Sequence, residues 1–155
     1  MPHLSTYVGL VDRAEQTLAD SFRVVGEAQR SHPDVYFTCT TLASMSDAHR
    51  EQLAPVVARY GEDDTAGDEP ERLHAAGLAQ ARQGPVGLVR DLQDLHVLAH
   101  LVMTSWIAIR QAAQGLRDTE LLEVATSSCA ETKRQVAWLD THLKVVAPQA
   151  LIVAE

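Results

Sequence analysis

Five residues could carry metal chemistry in this chain: Glu15, His49, His96, His100 and Glu131. Two divalent ions inside a helical bundle need a carboxylate from each of two helices and Glu-x-x-His from each of the other two. Bridging carboxylates offset the charge of the ions, and a histidine one turn along the same face completes each coordination shell. The sequence holds pieces of this pattern. Glu15 stands in the first apolar segment, with Glu27 further along it. Ser46-x-x-His49 keeps the histidine but lacks the glutamate, and Asp47 is one residue out of phase. Asp91 and Asp94 precede the apolar run that contains His96 and His100. Glu131-x-x-Arg134 keeps the glutamate and carries arginine where the histidine belongs. That arginine offers a permanent charge to Glu15 or Glu131, which would turn the site into an ion pair joining helices.

A single-ion scheme uses the histidines instead. His96 and His100 are four residues apart, hence on one helical face, and His49 on another helix would be the third ligand. Three histidines with an open position suit zinc, nickel or iron. Against this, His96 and His100 flank an apolar seam, where they can bond a backbone carbonyl or Thr104, or face a neighbouring subunit. His3, His32, His74 and His142 fall at terminus, loop or surface positions. Cys39 and Cys129 lie on seams as small core residues, with no Cys-x-x-Cys motif. Trp106 is also a seam residue, and Trp138 lies beside one. The sequence has no Gly-rich phosphate loop and no Gly-x-Ser-x-Gly elbow. Small seam residues, Ala99, Ala125, Cys129 and Thr132, leave room for a ligand cavity between helices.

The elements that must position these groups are helical, because the apolar spacing alternates between four and three. Leu4, Val8, Val11, Glu15, Leu18, Phe22 and Val25 form one seam with a carboxylate inside it. "SHPD" interrupts the chain, with Pro33 in the first turn of a new helix and Ser31 with Asp34 as a capping box. The second helix is predicted from about Asp34 to Tyr60, with Gly61 as its stop and a kink or earlier end at Pro55. Its stripe is Val35, Cys39, Leu42, Met45, His49, Leu53, Val56 and Tyr60. Residues 61–84 are a long acidic linker, with a short helix expected near "PERLHAAGLAQARQ". Pro85 opens the third helix, whose seam is Leu88, Leu92, Leu95, Ala99, Val102, Trp106, Ile109 and Ala113. Its flanks Val97, Leu98, Leu101, Met103 and Ile107 are apolar too, so this helix is either central or part of a subunit interface. Gly115 is expected to close it, and Asp118 or Thr119 to cap the fourth. The fourth seam runs Leu122, Ala125, Cys129, Thr132, Val136, Leu139, Leu143 and Val146 up to Pro148. The apolar tail 148–155 must dock on its own bundle or on a partner.

Composition bounds the function. The 155 residues form one domain, 46% hydrophobic and 22% charged. A net charge of −8 argues against a nucleic-acid partner. "EDDTAGDEPE", 62 to 71, holds six of the acids, and elsewhere 15 acids face 13 bases. The acidity therefore belongs to one segment, read as a solvated loop or an acidic docking patch. The N-terminus lacks the basic-then-apolar order of a signal peptide. The run without charges at 95–109 is shorter than the roughly 20 residues of a bilayer span. These features point to a cytoplasmic protein with reduced thiols and no membrane partner.

Short, long and short connections make two helical hairpins joined by a crossover, the ferritin-like plan, with an up-down-up-down bundle as the alternative. The run from "LVRDLQDLHVLAHLVMTSW" through "DTHLKVVAPQAL" resembles an uncharacterised family of ferritin-like bundle proteins found in actinobacteria. "CAETKRQVAWL" is similar to the His-x-x-Glu-Thr-x-x-Gln helix of stress-related ferritin-like proteins, with Cys129 and Ala130 preceding Glu131. "DRAEQTL" around Glu15 resembles the opening helix of the same group. On spacing alone, the three histidines also resemble the damage-inducible, thiol-transferase-like bundles. The resemblance implies an all-α, ferritin-like four-helix bundle. The expected function is non-catalytic association as a homo-oligomer, through the third helix or the tail, with no cofactor or a degenerate metal site. The alternative is a metal-binding, oxidoreductase-like or stress-response protein. Glu15, His49, His96, His100 and Glu131 would then be ligand candidates for iron, manganese or zinc.

Overall fold

The structure, a computed structural model, describes residues 2–60 and 76–154. Four long helices, α1 Pro2–Ala28, α2 Pro33–Tyr60, α3 Gly84–Leu116 and α4 Thr119–Pro148, are followed by a π-helical turn at Gln149–Val153. No strand occurs among the described residues. The acidic segment 62–71 and residues 70–75 of the expected short helix lie outside the described residues, and 76–83 carry no helix.

The seams read from periodicity supply most of the core, but on α4 the buried line includes Leu121, Ser128 and Gln135, while Leu122, Val136, Leu143 and Val146 of the expected seam are only partly buried. Val8, Val11, Leu18, Phe22 and Val25 of α1 are buried with Val35, Cys39, Leu42, Leu53 and Val56 of α2. They meet Leu92, Leu95, Ala99, Val102, Trp106 and Ile109 of α3, and Ala125, Cys129 and Leu139 of α4. α1 packs on α2 and on α3, and α4 packs on α3 and on α2. The α1–α2 approach is close because Gly26 lacks a side chain: a Cβ there would stand 2.8 Å from Cys39 Cβ. Taken alone, α3 is long and apolar enough to cross a bilayer, longer than the charge-free run implied. In the bundle its seam faces the other helices.

Helix ends show where local rules gave way. α2 runs through Pro55 without stopping. Pro55 has no N–H for the carbonyl of Glu51 four residues earlier, and Glu51 lies on the exposed face of the helix, where water can serve that carbonyl. Ser31 does not form the capping box, since its hydroxyl lies 3.2 Å from His32 Nδ1. The first turn of α2 instead closes from Tyr36 N–H to His32 C=O. α3 continues through Gly115 and ends in a left-handed Arg117, φ 57°. Asp118 then caps α4, accepting from Leu121 N–H at 3.1 Å. The same carboxylate accepts from Tyr60 Oη at 2.7 Å and from Arg59 at 3.1 Å, tying the end of α2 to the start of α4. Those donors hold the Asp118 carboxyl below its ordinary value, with the Tyr60 hydroxyl the strongest cause.

Candidate functional site

Burying a carboxylate inside an apolar bundle requires compensation from its neighbours. Glu15 sits on the α1 seam and is fully buried. Its Oε1 accepts two N–H bonds, from His49 Nδ1 at 2.7 Å and from Trp106 Nε1 at 2.8 Å. The residues come from α1, α2 and α3, and each reaches the centre because it occupies a seam position. The His49 and Trp106 rings also meet edge to face, 6.4 Å between centroids. α4 contributes Glu131, whose Oε2 lies 3.6 Å from His49 Nε2. That separation brings the charges together without a hydrogen bond. The Glu131 side chain is 36% exposed, so the chain of groups Glu15–His49–Glu131 runs from the core to the surface.

One turn along, Gln135 of α4 donates its amide to Leu42 C=O at 2.9 Å and to Ser46 Oγ at 3.0 Å. Ser46 thus occupies the place of a first glutamate as a small hydroxyl acceptor. Four polar atoms of this region are buried with no hydrogen-bond partner among the described residues: Glu15 Oε2, His49 Nε2, Ser128 Oγ and Gln135 Oε1.

Burial alone would lower the pKa of His49. The hydrogen bond and charge of Glu15, reinforced by Glu131, act the other way, and the net result is a raised value. A raised folded-state pKa adds stability that is complete below the unfolded value of about 6.5 and disappears as pH rises through the folded value. The melting temperature should therefore fall as pH rises above about 6.5, and His49→Gln should remove that part of the profile. Parallel profiles for the two proteins, followed by circular dichroism, would contradict an imidazolium between the carboxylates.

The metal candidates divide. Glu15, His49 and Glu131 come together. His96 and His100 stack on each other, 5.7 Å between centroids, with His96 partly buried and His100 exposed. They flank the seam of α3, while Trp106 occupies the seam position that faces Glu15. The three-histidine arrangement is therefore not assembled: His49 is fully buried and His100 lies on the surface. Thr104, considered as a partner for these rings, instead bonds the backbone of His100 and Leu101. Arg134 is exposed on α4, and the group facing Glu15 and Glu131 is His49. Glu27 pairs with Arg30 on the surface, and Asp91 is buried against Arg82.

The donors do not fit a two-ion centre. No group of three or more His, Cys, Asp or Glu able to hold a metal occurs among the described residues. The geometry explains this. Glu15 engages one ring nitrogen of His49 and Glu131 faces the other, so the imidazole lies between the carboxylates and keeps them from sharing an ion. On α3, the position facing Glu15 holds an indole that donates a proton and supplies no oxygen.

The cysteines are core residues, and burial pushes the Cys39 thiol up to about 12, far from a reactive thiolate. Ala99, Ala125, Cys129 and Thr132 are packed in the interior. A cavity of about 570 Å³ lies elsewhere, at the end of the bundle between Ala28, His32, Arg82, Leu88, Val146 and Ala150. Its arginine is already held by Asp91 and Asp94, at 2.7 and 2.8 Å. His142, expected at the surface, is partly buried and stacks on Trp138, 4.9 Å between centroids.

The residues missed were Trp106 as a hydrogen-bond donor and Gln135 as an interior anchor. A signal for Gln135 was present, since it ends the Glu-Thr-x-x-Gln motif. Comparison with family models, curated proteins and solved structures finds no match to this chain.

Proposed function

We propose that this chain is a ferritin-like bundle that acts by self-association, with a buried ionic network where related bundles would carry metal. The ferritin-like reading draws support from where the helix ends lie. Tyr60, ending α2, meets Asp118, which starts α4. Gly84 and Pro85, starting α3, line a cavity with Ala28 and Val146 at the far ends of α1 and α4. α2 thus ends and α3 begins at opposite ends of the bundle, which a crossover connection requires.

The observation that carries self-association is the outer face of α3. Val97, His100, Thr104, Ile107 and Ala108 are exposed there, and no Asp, Glu, Lys or Arg occurs between Leu95 and Ile109. Val97 is 64% exposed and Ile107 43%. An exposed apolar face that carries no charge has no ion to desolvate and gains from burial, so it is where two copies associate most easily. A face that meets itself across a two-fold axis needs no separate complementary surface.

Light scattering across a concentration series tests this. A dimer is expected, and Val97→Glu with Ile107→Glu should convert it to a folded monomer by placing like charges in a desolvated contact. A monomer at every concentration for the parent chain would overturn the proposal.

The rival reading, a divalent metal on His49 and Glu131, has one observation in its favour: His49 Nε2 is buried and has no hydrogen-bond partner among the described residues. It would need a further protein donor to reach the three of a catalytic zinc site. Mass spectrometry of chain purified without a histidine tag or chelator separates the readings. No stoichiometric iron, manganese or zinc is expected, and one bound ion per chain would favour the rival.

A further inference from the structure

We propose that His96 and His100 of α3 chelate one late first-row divalent ion, zinc, nickel or copper, at the edge of the bundle and separate from the buried network around Glu15. The two imidazoles are the protein donors, and water completes the coordination shell. The site belongs to a single chain and does not depend on self-association.

The helix brings the rings together. Residues four apart on a helix share a face, with Cβ atoms about 5–6 Å from each other. The two rings are parallel within 16° and stand 5.7 Å apart between centroids. Two nitrogens bound to one ion at about 2.0–2.1 Å each lie roughly 3–4 Å from each other. The last torsion of histidine is broad, so the exposed His100 ring can turn a nitrogen toward the point that His96 faces.

Other histidines of the chain are engaged differently. His49 bonds Glu15, His32 lies 3.2 Å from the Ser31 hydroxyl, and His142 stacks on Trp138. His96 and His100 stack on each other, and His96 Nε2 is buried with no hydrogen-bond partner among the described residues. A buried polar atom of that kind calls for a water or an ion.

The surroundings suit a cation. No Lys or Arg of α3 lies between Leu95 and Ile109. Across from His96, α4 carries Asp140, which pairs with Lys144 at 2.7 Å. Lys144 is the main cause that holds the Asp140 carboxyl below its ordinary value, and the nearness of His96 adds to it. An ion on His96 therefore has a carboxylate within electrostatic reach.

The donors select the ion. Imidazole suits zinc, copper and nickel, whereas magnesium and calcium require oxygen ligands. Two protein donors are fewer than the three of a catalytic zinc site, so the ion exchanges freely and leaves on dialysis. The site is filled by added ion and is not expected to keep one through purification.

The test is calorimetric titration of the full chain with nickel chloride. The parent chain is expected to take up about one ion. His100→Ala should weaken uptake by roughly tenfold or more, since even the groups that orient a metal's histidines contribute that much. His100→Ala with Thr104→His keeps two histidines on this stretch of α3 but sets them eight residues apart, and should bind as weakly as His100→Ala alone. His49→Gln should bind like the parent. On the parent chain, paramagnetic nickel should broaden the ring-proton resonances of His96 and His100 first, a readout that needs no variant to fold. No uptake by the parent, uptake that survives His100→Ala unchanged, or broadening that begins at another histidine would each overturn the proposal. Uptake lost in His49→Gln but kept in His100→Ala would place the ion in the interior instead.

Discussion

Glu15→Ala is expected to lower the unfolding free energy by about 3–5 kcal/mol, the usual cost of removing one partner from a buried charged pair. For a chain of this length that corresponds to a fall of roughly 10 °C or more in melting temperature. Two effects combine. The His49 Nδ1–H and the Trp106 Nε1–H lose the one oxygen that accepts both of them. The imidazolium also loses its nearest counter-charge, leaving only Glu131 at 3.6 Å. Neither donor has water to turn to, because Glu15, His49 and Trp106 are all fully buried.

The effect shrinks when both charges go. Glu15→Leu with His49→Leu removes the ionic pair together with its desolvation cost. The double variant is expected to be more stable than Glu15→Ala, and within about 2 kcal/mol of the parent chain. Urea titration of the three proteins decides the matter. If Glu15→Ala shifts the midpoint by an amount equivalent to less than about 1 kcal/mol, the carboxylate is not the anchor described here.

Trp106→Ala carries the second large effect, about 3–5 kcal/mol. Trp106 is the largest fully buried side chain, at the point where α3 faces α1 and α2. Its removal opens a void and withdraws one of the two donors on Glu15 Oε1. Trp106→Phe separates these parts, because the ring remains and the N–H is lost. Its cost is expected to be about 1–3 kcal/mol, the range for leaving a buried acceptor short of a donor. Because Glu15 and Trp106 share a hydrogen bond, Glu15→Gln and Trp106→Phe should not be additive. A double-mutant cycle in urea should show a coupling of at least about 0.5 kcal/mol. Strict additivity would mean that the 2.8 Å contact contributes nothing to stability.

The periodicity of the chain determined which face of α1, α2 and α3 is buried, and on α4 it was off by a fraction of a turn, toward Leu122 and Val136 rather than Leu121 and Gln135. Glu15 and His49 were legible as interior residues for this reason: each interrupts an apolar seam at the phase of its neighbours, and a seam residue in a bundle points inward whatever its chemistry. The cap at Asp118 was legible because it depends on residues a turn apart. The break at Gly115 was misplaced because the helix runs on to a left-handed Arg117, where Arg117 N–H bonds Gln114 C=O and Asp118 N–H bonds Ala113 C=O, and the local sequence does not rank the two endings.

The partners were not legible. A spacing of four says that His96 and His100 share a face, but not that the face is the flank beside the seam. Arg134 stood at a ligand position along its own helix, yet the rotation of α4 turns it to solvent and brings Glu131 toward His49. The indole N–H of Trp106 meets Glu15 only because α1 and α3 are set at one particular height against each other. Periodicity along one chain segment fixes rotation about that helix axis. Which atoms meet across the interior depends also on the relative height and tilt of helices from distant parts of the sequence. Only their packing against one another decides that.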